Sequence, residues 1–98
     1  MHVYIGLLRK DPDSSYGVDF PDFPGCVTAA ATLVEVGPMA VEALTFHIEA
    51  MREDGDPIPA PSSLEAIMAD PFNHEAVPIL VPVPDGLFDA SRDAAAAE

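Results

Sequence analysis

The first third of the chain alternates apolar and polar positions with a period near two, which is typical of β-strands. Residues 2–9 are rich in β-branched and aromatic side chains, with an irregularity at Gly6, and predict a first strand. The segment 11–15 carries Asp, Pro and Ser, the residues of turns, so residues 16–20 return as the second strand of a hairpin. After a loop with two prolines, residues 26–29 predict a third strand.

From Thr32 onward the period lengthens to three and four residues, which predicts an amphipathic helix ending near Asp54. Its predicted buried stripe consists of Val36, Met39, Ala40, Ala43, Leu44, Ile48 and Met51. Thr32 and Glu35 fit a capping box, in which each side chain accepts a hydrogen bond from the other residue's backbone N–H. Pro38 interrupts a helix that begins at Thr32 but suits the first turn of one that begins at Pro38 itself, so both starts stay open.

The rest of the chain predicts a proline-rich connector, a short helix over residues 62–68 with a capping serine, and a final strand over residues 76–83. Two prolines in that strand predict a sheet edge, where a missing N–H is tolerated. The predicted fold class is α+β: a three-stranded antiparallel sheet packed by one main helix, with a short helix and a final edge strand, in the order β-β-β-α-α-β. We expect one domain over residues 1–85 and a frayed, Ala-rich acidic tail over residues 86–98.

Composition adds a strong charge bias, because 17 Asp and Glu against 4 Lys and Arg leave a net charge of -13. Such a surface attracts basic partners and repels nucleic-acid phosphates, so we expect no direct nucleic-acid binding, although acidity also serves solubility. No apolar run approaches the ~18 residues of a membrane span, and the N-terminus lacks a signal-peptide pattern. The single Cys26 agrees with a reducing compartment, and we expect a cytoplasmic protein.

Residues 16–28 read Tyr-Gly-Val-Asp-Phe-Pro-Asp-Phe-Pro-Gly-Cys-Val-Thr and resemble the signature of HicB-family antitoxins. The match continues in register over roughly residues 2–62. The resemblance implies a partial, truncated ribonuclease-H-like domain of a type II toxin-antitoxin system. It also implies a partner, a small basic HicA-like toxin with a double-stranded-RNA-binding-like fold that cleaves messenger RNA and is covered by the antitoxin.

The chain departs from the family pattern in two places. Many members carry a DNA-binding segment after the last strand, whereas only residues 86–98 follow it here, so the resemblance does not extend to operator binding. Where the family has a helix-forming Leu-Ala-Asn-Ala run, this chain has Gly37-Pro38-Met39-Ala40, which changes the first turns of the main helix.

The predicted function is inhibition by occlusion, in which acidic groups on the hairpin and its loops meet the cationic face of the toxin. The candidate toxin-binding residues are Asp11, Asp13, Asp19, Asp22 and Phe23. Two of these have plainer interpretations that stay open, since Asp19 fits a solvated strand residue and Asp22 fits a cap of its own turn.

Other chemistry-bearing residues favour structural roles. Phe20 shares a face with Val18 and is expected in the core, and Cys26 is expected to be a small buried hydrophobe. The three histidines have no metal-ligand spacing, and the pair Arg9-Lys10 is too small for a phosphate-binding surface.

We therefore expect no enzyme, no cofactor and no metal site, and a chain that forms a homo-oligomer, either a dimer or a tetramer, besides binding its toxin. Two rival functions remain. One is an orphan homo-oligomeric domain of the same type without a toxin. The other is a divergent metal-dependent nuclease, which would need carboxylates from different elements converging on the same ions.

Overall fold

The computed structural model describes residues 2–10, 12 and 15–87. The strands are β1 (His2–Lys10), β2 (Tyr16–Asp19), β3 (Val27–Ala30) and β4 (Val77–Val83), the helices are α1 (Leu33–Glu53) and α2 (Leu64–Met68), and single 3-10 turns span Pro71–Asn73 and Asp85–Leu87. All four strands pair antiparallel in one sheet with the order β3-β2-β1-β4. The predicted mixed α+β class is confirmed, and the predicted final edge strand pairs with β1 to complete a four-stranded sheet.

Each face of the sheet packs against a different helix. On one face, α1 presents Val36, Ala40, Leu44 and Ile48 at strict four-residue spacing, all buried against Val18, Phe20 and their neighbours. Gly6 lies beneath these side chains, where a Cβ would come within 3.0 Å of Val18, and this close approach explains the irregular alternation in β1. On the other face, Ile5 and Leu7 pack against Ile67 of α2 and against Ala76.

The main helix begins at Leu33 with Thr32 as its N-cap, so Pro38 lies inside it. Of the two predicted starts, the one at Thr32 is the one observed. The predicted capping box is wrong, because the Thr32 hydroxyl donates to Glu35 Oε1 at 2.9 Å and neither side chain caps a backbone N–H. Pro38 can persist in the helix because Gly37 has no Cβ to meet the proline ring.

The short helix and the last strand agree with prediction. Ser63 caps α2 by accepting from the N–H of Ala66 at 3.1 Å, and Asp70-Pro71 follows the helix end. β4 lies at one edge of the sheet, with its two prolines opposite Val3 and Leu7 of β1. Alternate residues of a strand direct their N–H groups to the same side, so Pro78, Leu80 and Pro82 share one side of β4.

The segment after β4 is held against the end of α1. Arg52 Nη1 donates to the carbonyl oxygens of Gly86 and Leu87 at 3.1 and 2.6 Å. These are the first two residues of the predicted tail, and its remainder, residues 88–98, lies outside the described part of the chain. No helix in the described part of the chain is both long and apolar enough to cross a membrane.

Candidate partner-binding site

The loop between β2 and β3 consists of two successive tight turns. The N–H of Phe23 donates to the carbonyl of Phe20 at 2.9 Å, and the N–H of Cys26 donates to the carbonyl of Phe23 at 3.0 Å. Gly25 has a φ of 90°, a left-handed value that disfavours a side chain. The turns direct Phe23 and Cys26 inward, where both are buried.

Cys26 is the buried hydrophobe that its position predicts. Its side chain is 4 % exposed, and burial raises the pKa of its thiol above the usual value. A thiol held in its neutral form is a poor nucleophile, so the structure gives Cys26 a packing role.

Asp22 holds the loop to the proline-rich connector. One oxygen of its carboxylate accepts from the N–H of Ser62 at 2.9 Å, and the other accepts from the Ser62 hydroxyl. The interpretation of Asp22 as a cap of its own turn is therefore wrong, because its partner lies 40 residues away in sequence. Burial, and then the charge of Asp22, raise the pKa of Tyr4, whose hydroxyl donates to the Pro59 carbonyl in the same connector.

A cleft of about 320 Å³ opens between this loop and the end of α1. We call it the acidic cleft, and it is lined by Asp22, Phe23, Pro24, His47, Ala50, Met51, Asp54 and Asp56. Three of its residues are carboxylates and none is Lys or Arg. A cleft lined by charges of one sign attracts a cation more strongly than a surface of mixed charge.

Phe23 lines the cleft although it is buried in the hydrophobic core. Its ring packs edge-on against Tyr4, with centroids 4.8 Å apart, and against His47, with centroids 5.9 Å apart. Only 2 % of the residue is exposed, so the ring of this predicted contact residue supports the cleft and is not offered to a partner.

Asp54 and Asp56 were missed as site residues, because their segment predicts only the end of the helix. The chain leaves α1 through a Schellman motif, in which the N–H groups of Gly55 and Asp56 donate to the carbonyls of Arg52 and Met51 at 3.1 and 2.9 Å. Gly55 takes a φ of 75°, as this motif requires. The turn places one carboxylate on either side of the glycine and brings both to the loop that contains Asp22.

Asp19 belongs to a different part of the molecule. Its carboxylate accepts from Arg9 Nε at 2.7 Å, and the same guanidinium donates to Asn73 Oδ1 at 2.9 Å and to the Phe72 carbonyl at 3.2 Å. The guanidinium also stacks over the Phe72 ring, 4.6 Å from its centroid. Asp19 is thus not part of the acidic cleft, and its side chain, 34 % exposed, is already partnered by a cation of the same chain.

Of the five predicted contact residues, the structure brings only Asp22 and Phe23 together. Asp11 and Asp13 lie outside the described residues. Within residues 2–10, 12 and 15–87, no three His, Cys, Asp or Glu side chains are grouped closely enough to hold a metal ion.

The chain is similar to several proteins of known sequence. It is 37 % identical over 81 residues to a 14.9 kDa protein from the rep-hol intergenic region of Haemophilus phage HP1, covering 83 % of this chain and 60 % of the phage protein. It is 32 % identical over 62 residues to a UPF0150 protein of Thermoplasma acidophilum, covering 63 % of this chain and 90 % of the archaeal one. The chain therefore spans less than two thirds of the phage relative.

Solved structures share the fold. The antitoxin HicB of Burkholderia pseudomallei superposes with a TM-score of 0.78 at 31 % identity, covering 89 % of this chain and 67 % of that one. A chain of a HicA3 and HicB3 toxin-antitoxin complex superposes with a TM-score of 0.71 at 28 % identity, covering 84 % of this chain and 98 % of that one.

The family model that matches is described as a HicB-like antitoxin of bacterial toxin-antitoxin systems, and it spans residues 4–93. That range contains the two-turn loop, α1 and all three carboxylates of the acidic cleft. The chain belongs to the HicB-like antitoxin family.

Proposed function

We propose that this chain is a cytoplasmic antitoxin that binds a small basic HicA-like toxin and occludes its RNA-binding face, with no chemistry of its own. Membership of the family supports the antitoxin role, and a structural relative comes from a toxin-antitoxin complex. The net charge of -13 complements a cationic partner.

The observation that carries this proposal is the acidic cleft, where carboxylates from two distant segments converge without a compensating Lys or Arg. A Lys or Arg side chain of the toxin entering the cleft would meet Asp22, Asp54 and Asp56 from different sides. Asp11 and Asp13 extend the proposed contact surface. Asp19 contributes to the proposed contact surface indirectly. Its ion pair with Arg9 positions the guanidinium that also binds Phe72 and Asn73.

The same proposal treats the sheet and α1 as a partial ribonuclease-H-like domain that does not cleave RNA. The two carboxylates that invite a nuclease interpretation are already engaged, Asp19 by Arg9 and Asp22 by Ser62. Magnesium-dependent RNA cleavage by the purified chain, lost in Asp19→Asn, would contradict this part of the proposal.

The test is co-expression with a small basic HicA-like toxin, scoring growth rescue and co-purification. We expect wild type to rescue growth and to retain the toxin. The double variant Asp54→Asn/Asp56→Asn should weaken binding at least about tenfold, because charge pairs at an interface are coupled by about 1.5 kcal/mol or more.

The matched control is Glu65→Gln/Glu75→Gln, which removes the same charge from exposed residues outside the cleft. Affinity within about twofold of wild type is expected for this control. Equal losses in both double variants would show that net charge alone, and not the cleft, attracts the toxin.

A further inference from the structure

An open groove of about 750 Å³ runs along one flank of α1, beside the core stripe against which Val41 packs. Pro84 borders it after β4, and α1 lines it with Pro38, Val41, Glu42, Thr45, Phe46 and Glu49. From Pro38 to Glu49 the groove follows about 16 Å of helix at about 1.5 Å per residue. None of these residues lines the acidic cleft.

Phe46 is the prominent side chain of this groove. It is 73 % exposed, although it belongs to a helix whose other face supplies much of the core. Single exposed apolar residues are ordinary, but Phe46 is continuous with Pro38, Val41 and Pro84, and such continuous apolar surface is characteristic of interaction sites. The hydroxyl of Thr45, in the same lining, is buried without a hydrogen-bond partner among the described residues.

The charges beside the groove indicate which kind of partner it can bind. Glu42 and Glu49 are both exposed and lie seven residues apart, on one side of the helix and about 10 Å from each other along its axis. A second copy of this chain would bring two more glutamates to the same place, and each copy carries a net charge of -13. Like charges at a contact oppose association, so charge disfavours a homodimer through this face.

We propose that the groove receives an apolar or aromatic side chain of the basic toxin, flanked by two Lys or Arg residues that pair with Glu42 and Glu49. This inference rests on the proposed function, because the occupant is the same basic partner. Glu42 and Glu49 then supply charge attraction at the groove, and Phe46 supplies the water-excluding centre that a stable interface needs.

The first test substitutes the exposed ring. Phe46→Ser should leave the unfolding transition unchanged, because the ring contributes little to the core. It should weaken binding to the HicA-like toxin of the co-expression test by about 30-fold or more, measured by isothermal titration calorimetry. The matched control is Leu80→Ser, since Leu80 is 75 % exposed and lies on the edge strand away from the groove. Affinity of Phe46→Ser within about twofold of wild type, or an equal loss in Leu80→Ser, would overturn the inference.

The second test addresses the flanking charges. Glu42→Gln/Glu49→Gln should weaken binding about tenfold at low salt, and Glu65→Gln/Glu75→Gln should not. Analytical ultracentrifugation of the chain alone tests whether a second copy occupies the groove. A dimer that dissociates in the Phe46→Ser variant would assign the groove to a second copy and overturn the inference. A wild-type chain that does not bind the toxin would contradict the proposed function itself. A wild-type chain that binds the toxin with an affinity that Phe46→Ser leaves unchanged would contradict only the inference about the groove.

Discussion

At the scale of single residues, Tyr4 joins the core to the connector that borders the candidate site. Its ring is 1 % exposed and packs against Phe23, while its hydroxyl reaches the Pro59 carbonyl. Because Asp22 binds Ser62 in the same connector, the two contacts fix the position of that segment relative to the acidic cleft.

Tyr4→Phe tests this contact through its pH dependence. Burial raises the pKa of Tyr4 above its usual value of 10.0, so the folded state favours the neutral phenol. This contribution to stability is complete below pH 10 and is lost as the pH rises through the raised pKa. At pH 7 the variant should lose about 1 kcal/mol of unfolding free energy with its hydrogen bond. In urea unfolding followed by circular dichroism, the gap to wild type should narrow by pH 11. A gap that stays constant with pH would show that Tyr4 does not titrate differently in the folded and unfolded chains.

At the scale of elements, α1 carries a proline that its sequence neighbours make tolerable. Pro38 removes the N–H that would bond to the Val34 carbonyl, and Gly37 spares the proline ring a clash with a preceding Cβ. Apart from its chain neighbours and the helix backbone, no atom lies within 4 Å of a Cβ built at Gly37. Packing against the rest of the molecule therefore does not require glycine there, and the steric restriction before a proline is the remaining reason for it.

The two positions should therefore be coupled. Pro38→Ala should stabilise the protein by about 1–2 kcal/mol by restoring the helical hydrogen bond. Adding Gly37→Ala in that background should contribute about 0.5–1 kcal/mol more, whereas Gly37→Ala alone should contribute less or destabilise. Thermal unfolding of the four chains measures this cycle, with Gly25→Ala as a destabilising control because of its positive φ. Additive effects of the two substitutions would rule out the steric explanation.

The elements themselves were largely predictable, since alternation and helical spacing in the sequence mark strands β1 to β4 and both helices within a few residues. The partners of individual side chains were not. Arg9 binds Asn73 from 64 residues away and Asp22 binds Ser62 from 40 residues away, and local periodicity carries no information about such pairs. For the same reason Asp22 was predicted at the site, while Asp54 and Asp56 were read only as a helix end.

At the scale of the whole molecule, the excess of acidic residues predicts how fast the chain would associate with the proposed basic toxin. Opposite net charges accelerate encounter, and salt screens the attraction over a Debye length that falls from about 30 Å at 0.01 M to about 3 Å at 1 M. The association rate with the toxin should therefore fall about tenfold or more between these conditions in stopped-flow measurements, while dissociation changes less. An association rate that is insensitive to salt would contradict electrostatic steering.

The prolines of β4 have a consequence for growth of the sheet beyond one molecule. Proline is tolerated in an edge strand where the missing N–H would face away from the ladder, so residues 78, 80 and 82 are expected on the free side of β4. Two of these three residues have no backbone donor, and an incoming strand would find only the Leu80 N–H among them. Fibril-like stacking through this border is therefore disfavoured even when the chain accumulates without a bound partner. Any larger assembly built at this end of the molecule must rely on side-chain packing instead of a shared hydrogen-bond ladder.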